Sequence, residues 1–158
     1  MPSQRVESLI AKLEKGHTKT QQILGPLAAE QWAAVVYEEP EVWDMRALLA
    51  HFVSAEERLL ELAQDVVAGG PGVAEGFDFD AFNAEEQQRL KDQSPGELLA
   101  ALASDRGATL QWVRTLDDEQ LELIGTHPVL GDVTVEAMIL AIYGHQLLHM
   151  RELQVLLR

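Results

Sequence analysis

Apolar side chains recur every three or four residues along four separate stretches of the chain, and this period constrains the fold more than any single motif. The first stretch starts at a Ser3 cap, carries Val6, Leu9, Ile10, Leu13, His17, Thr20 and Leu24 on one face, and stops at Gly25-Pro26. The second is expected from an Asp44 cap to about Ala68, with Leu48, His51, Phe52, Ala55, Leu59, Leu62 and Val66 inward. Its Glu56, Glu57, Arg58 and Glu61 are expected largely in solvent, and Gly69-Gly70-Pro71-Gly72 ends it. The third opens on Ser94-Pro95-Gly96-Glu97, a capping box with proline in the first turn, and runs to about Leu116. Gly107 in its middle predicts a close packing contact. The fourth follows a Thr134 cap, from Val135 to about Leu157.

Between these lie a shorter helix, capped by Asp78 or Asp80 and reaching about Lys91, and two connections. Residues 27–42 read as a connector with a helical turn near Ala28–Ala33; residues 117–132 read as irregular. No stretch alternates convincingly as a strand. The expectation is an all-α four-helix bundle with long connections and a short extra helix, in one domain over residues 1–158.

Charge narrows the function. Acidic residues outnumber basic ones 26 to 12, a formal net charge of −14, which argues against nucleic acid and anionic membrane surfaces as partners. There is no cysteine, so disulfides, thiolate metal sites and a cysteine nucleophile are excluded. No apolar signal core or membrane-length run is seen, and a cytoplasmic protein is expected.

Histidines carry the chemistry. His145 and His149 are four apart on the last helix and therefore share a face, a spacing that lets two imidazoles grip one metal ion. They lie with Met138, Ala141, Ile142, Leu148, Glu152 and Leu156, a face apolar but for the two histidines and Glu152; His51 sits similarly between Leu48 and Ala55. Three core-directed histidines are buried cheaply only if neutral or liganded. The spacing alone leaves packed, hydrogen-bonded histidines as the alternative. His17 is a candidate for a fourth ligand or for a group supporting the ligands, or else a partly exposed residue near the bundle's end; His127, before Pro128, is expected in solvent. Glu152 orients an imidazole or lies at the surface in an ion pair; Asn83 faces a pocket mouth or makes a local turn contact. Trp32, Trp43 and Trp112 are expected as core or interface anchors.

Three segments together resemble the DinB/YfiT-like metalloenzyme family. They are Trp43 with Leu48-Leu49-Ala50-His51, then Gly131-Asp132-Val133-Thr134, then His145-Gln146-Leu147-Leu148-His149. The resemblance covers nearly the whole chain. It implies a bundle in which His51, His145 and His149 ligate a divalent metal, zinc or nickel, often in a homodimer. It also implies chemistry on small molecules. Some members, including mycothiol-dependent maleylpyruvate isomerase and bacillithiol transferase, act on low-molecular-weight thiols.

Ligand chemistry agrees with this. Three imidazoles without a strong fourth ligand make an open set, as in catalytic zinc sites, although imidazole alone does not choose among zinc, nickel, copper and iron. The functional expectation is a metal-dependent enzyme activating a thiol or water, with S-transfer from a low-molecular-weight thiol favoured by the resemblance alone. The alternatives are a metal-binding or interaction protein of the same fold without catalysis, and a purely structural metal.

Overall fold

The computed structural model describes residues 1–157. In chain order it comprises α1 (Gln4–Leu24), α2 (Ala29–Trp32), β1 (Val35–Tyr37), β2 (Trp43–Asp44), α3 (Met45–Val67) and α4 (Phe79–Arg89). These are followed by α5 (Pro95–Val113), α6 (Asp118–Leu121), β3 (Ile124–His127), β4 (Gly131–Thr134) and α7 (Val135–Leu156).

Each long helix starts on a side chain that satisfies an otherwise unpaired backbone N–H. Ser3 Oγ accepts from Val6 at 3.2 Å, Asp44 Oδ1 from Ala47 at 2.8 Å and Thr134 Oγ1 from Ala137 at 3.1 Å. Ser94 accepts from the Glu97 amide, and the Glu97 carboxylate accepts from the Ser94 amide, completing the capping box. Asp78, rather than Asp80, caps α4. Helix α3 packs on α5 and α7, α1 packs on the same pair, and α4 lies against α3. The result is the expected four-helix bundle.

The apolar interior forms two clusters. Leu48, Leu49, Phe52, Leu98, Leu102, Met150 and Leu153 belong to one; Leu9, Leu13, Ala63, Val66, Val113, Met138 and Ile142 belong to the other. Along α3, α5 and α7 a polar group sits at the sequence level between them. Arg106 donates through Nε and Nη2 to the two oxygens of Glu56, at 2.7 and 2.8 Å, and through Nη1 to the Leu13 carbonyl at 2.7 Å. Thr109 and Gln146 also donate to Glu56. Glu56 and Arg106 are each 1% exposed, so the expectation of a solvated Glu56 is corrected. A carboxylate is tolerated there because every lobe of it meets a donor.

Both connections hold more order than the sequence suggested. The first contains the expected helical turn as α2, then the antiparallel ribbon β1–β2, with Val35 opposite Asp44 and Tyr37 opposite Trp43. The second, expected to be irregular, is α6 followed by a hairpin pairing Ile124 with Thr134 and His127 with Gly131. Strands of two to four residues are too short for alternation to show. Backbone contact anchors the hairpin, since a Cβ on Gly125 would stand 2.1 Å from Val66 Cγ2 on α3. Gly107, by contrast, faces open space, and the expected close contact is absent. No helix among the described residues is long and apolar enough to cross a membrane.

Candidate metal centre

His51 on α3 and His145 and His149 on α7 come together in space. One ring nitrogen from each lies within 4.8 Å of the others. His51 Nε2 and His145 Nε2 are 2.9 Å apart. The ring centres of His145 and His149 are 4.8 Å apart, those of His51 and His149 5.5 Å. Spacing of three or four residues on α7 puts its two rings on one flank, and the α3–α7 contact brings His51 across to them.

The α7 flank is not the core stripe. Buried α7 positions are Val135, Met138, Ile139, Ile142, Gln146, Met150 and Leu153. Leu148 and Leu156, expected inward, are 58% and 59% exposed. The histidines therefore sit where core gives way to surface, and a small molecule can reach them.

Electrostatics keep the rings neutral. Burial lowers the His51 pKa to about 4, with a contribution from nearby His149, and lowers that of His145 to about 3, with contributions from the other histidines. His149 is also lowered by burial, while Glu152 opposes the effect. Neutral imidazole is the form that ligates metal.

Surrounding residues orient the trio. Tyr37 Oη lies 2.8 Å from His149 Nδ1 and donates its proton to Glu152. The hydroxyl has one proton, so the His149 contact runs from Nδ1–H to the Tyr37 oxygen. That tautomer leaves Nε2 of His149 with a free lone pair. Trp43 lies against His51 with 4.9 Å between ring centres, and fully buried Phe52 lies under His145 and His149. Tyr37 was not identified from sequence; a three-residue strand gives no pattern to find it by. Glu152 meets both of its sequence readings: it is exposed at the surface, and it accepts the Tyr37 proton and stands 3.9 Å from His149 Nδ1.

The donor set fits a divalent ion. At usual metal–imidazole bond lengths, tetrahedral donors are about 3.3 Å apart, inside the observed range of 2.9 to 4.8 Å. No fourth His, Asp or Glu joins the group among the described residues. His17 is elsewhere: half-buried, with its pKa lowered by burial and then by Arg106, it belongs beside the Glu56–Arg106 network.

Two cavities meet at the trio. One, of about 490 Å³, is lined by His51 and His145 together with Ala55, Leu59, Phe77, Phe82 and Leu148. The other, of about 400 Å³, is lined by His51 and His149 with Tyr37, Trp43 and the acidic Glu39, Glu41 and Asp80. Asn83 borders both, so its pocket-facing reading holds. His127, expected in solvent, is 6% exposed and lines the larger cavity. The hairpin turn folds over it, and its Nδ1 accepts the Val129 and Leu130 amides.

Comparison with known proteins bears on this geometry. The family model described as DinB superfamily matches residues 12–153. YfiT from Bacillus subtilis, described as a probable metal-dependent hydrolase with an unusual four-helix bundle topology, is 20% identical. It superposes with a TM-score of 0.77 over 99% of this chain and 88% of its own. A mycothiol-dependent maleylpyruvate isomerase, 14% identical, has a TM-score of 0.74 over 93% of this chain and 60% of its own. The colibactin self-resistance protein ClbS, solved with double-stranded DNA, is 15% identical, with a TM-score of 0.72 over 94% and 95%. At these identities the likeness shows the fold. No curated protein matches the sequence.

Proposed function

The chain belongs to the DinB superfamily, and from that premise we propose that it is a divalent-metal-dependent enzyme whose ion is held by His51, His145 and His149. The observation that carries this reading is the convergence of three neutral imidazoles at the meeting of two cavities. Zinc or nickel suits such a donor set. When bound, the ion supplies a Lewis acid that makes a thiol or water nucleophilic near neutral pH.

The chain's own residues do the rest. Tyr37 and Glu152 hold the His149 ring and its tautomer, as outer partners of metal ligands commonly do. Phe52 and Trp43 keep water from the inner faces of the rings. The larger cavity receives the apolar body of an electrophile, and the smaller one a polar co-substrate. A low-molecular-weight thiol is proposed as that co-substrate, supported by the thiol dependence of the structurally similar isomerase. Water is the competing nucleophile, in keeping with the description of YfiT as a hydrolase.

The test is turnover of a small aryl electrophile, such as 1-chloro-2,4-dinitrobenzene, with cysteine, glutathione or no thiol, by zinc- or nickel-loaded protein. Rates should depend on metal and vanish in His51→Ala and His149→Ala while both variants stay folded. Full activity in either variant, or in chelator-treated wild type, sinks the proposal. Metal binding without turnover of this or any hydrolysable probe would instead mark a non-catalytic metal-binding protein.

A further inference from the structure

We propose that His127 is the polar anchor of the larger cavity, and that this cavity takes a neutral, largely apolar molecule bearing an acceptor oxygen, such as an aryl ketone. As a statement about the reaction it rests on the metal-enzyme reading above, whose electrophile it describes; as a statement about binding it stands alone.

The tautomer of His127 follows from its neighbours. Nδ1 accepts the Val129 N–H at 3.0 Å and the Leu130 N–H at 3.1 Å. A ring nitrogen accepting two N–H groups carries no proton, so the proton of the neutral ring is on Nε2. Burial lowers the pKa of this histidine, which favours the neutral ring. Nε2–H finds no acceptor in the protein and is closed to a water-sized group, so a ligand oxygen reaches it as the cavity wall beside the ring shifts. Buried donors almost always have partners, and leaving one without is costly.

The setting says what kind of partner is missing. His127 is 6% exposed and lines the cavity of about 490 Å³ that also borders His51 and His145. The other walls are mainly Ala55, Leu59, Phe77, Phe79, Phe82 and Leu148. Arg58 lies 5.7 Å from the Phe77 ring centre and makes one exposed ion pair with Glu61 at 3.2 Å, and Asn83 also lines the cavity, but neither carries a buried polar atom without a partner. Outside the three proposed metal ligands, His127 is the cavity-lining side chain with a buried, uncommitted nitrogen. Largely apolar walls welcome hydrocarbon and penalise an ammonium, and the buried N–H of His127 adds one donor to those of Asn83 and Arg58, which favours an acceptor oxygen. The hairpin β3–β4 thus becomes part of the site, placing a donor beside the proposed metal.

The experiment compares two probes of similar shape on chelator-treated full-length protein: 2-acetonaphthone, and 2-isopropenylnaphthalene, in which the carbonyl oxygen is replaced by CH₂. Wild type should bind the ketone roughly three- to tenfold more tightly, the gain from one net hydrogen bond. The gap should close in His127→Phe through weaker ketone binding, and reopen in part in His127→Gln, which restores an N–H. With ¹⁵N-labelled histidine, the ketone should move the His127 Nε2–H resonance and the hydrocarbon should not. This last measurement decides on wild type alone should a variant fold poorly. Equal affinities in wild type, no binding of the ketone, an unmoved resonance at saturation, or an unchanged preference in His127→Phe would each overturn the inference. No metal is present in these titrations, so a failure of the separate zinc or nickel titration would strike the enzyme reading and leave this result intact.

Discussion

Helices α3 and α7 each contribute to two polar clusters within the bundle, and the clusters differ in kind. Glu56, Arg106, Thr109 and Gln146 are closed: the carboxylate and guanidinium meet on two edges, and both are 1% exposed. His51, His145 and His149 are open: neutral rings with few hydrogen bonds of their own, bordered by two cavities. Charge matched inside the protein leaves no unpaired charge to attract an ion, although Gln146 Oε1 keeps a free acceptor. Neutral nitrogen donors held close together, two of them sharing an N–H···N bond that a cation can replace, leave a place for a cation. One cluster is therefore assigned to holding helices together and the other to holding a ligand.

Removing one half of the closed pair has the largest expected effect. Arg106→Leu strands Glu56 in the interior and should lower unfolding free energy by about 3–5 kcal/mol, read by urea denaturation. The double variant Glu56→Leu/Arg106→Met should recover much of this loss, because no charge remains stranded. His149→Ala, at the cavity edge, should cost about 1 kcal/mol or less. A larger loss for His149→Ala than for Arg106→Leu would reverse the assigned roles.

Acid should separate the clusters next. The folded pKa values of His51 and His145, about 4 and about 3, lie below the ordinary 6.5. The unfolded chain thus takes up protons that the folded chain refuses. Their contribution is whole above about pH 6.5 and is lost as pH falls toward 4 and then 3. For metal-free protein the loss attributable to one such ring is on the order of 3 kcal/mol at pH 4. Asp105, whose pKa burial and then Glu57 raise to about 6, acts in the opposite sense. It is common to wild type and His145→Leu, so the difference between their stability–pH curves isolates the histidine. Parallel curves between pH 7 and 4 would contradict the account.

The smallest of these effects concerns the ring's support. Tyr37→Phe removes the oxygen that fixes His149 and should weaken zinc affinity about 10- to 100-fold with stability little changed. Unaltered affinity would show that the Tyr37–Glu152 contact does not act on the metal.

Much of this was legible in the sequence because it is local. Ser3, Asp44, Ser94 and Thr134 cap helices through contacts three residues away, and apolar spacing then sets the faces. The three histidines were legible because two share a helix face and the third has the same inward register. What escaped depends on distant partners. Glu56 reads as solvated within Glu56-Glu57-Arg58, and only Arg106, 50 residues on, makes its burial tolerable. His127 reads as a loop residue until the hairpin closes over it. Tyr37 reaches His149 across 112 residues from a strand too short to recognise. Leu148 and Leu156 fit the apolar period yet remain outside, because the flank they share with the histidines borders cavity and solvent.

Calorimetric titration of tag-free, chelator-treated protein with zinc and with nickel asks whether the open cluster binds a metal ion. One ion per chain is expected for at least one of these metals, with a higher melting temperature on loading and loss of both in His51→Ala, His145→Ala and His149→Ala, while His17→Ala binds as wild type does. No binding by wild-type protein, or stoichiometric binding that survives all three substitutions, would contradict that expectation.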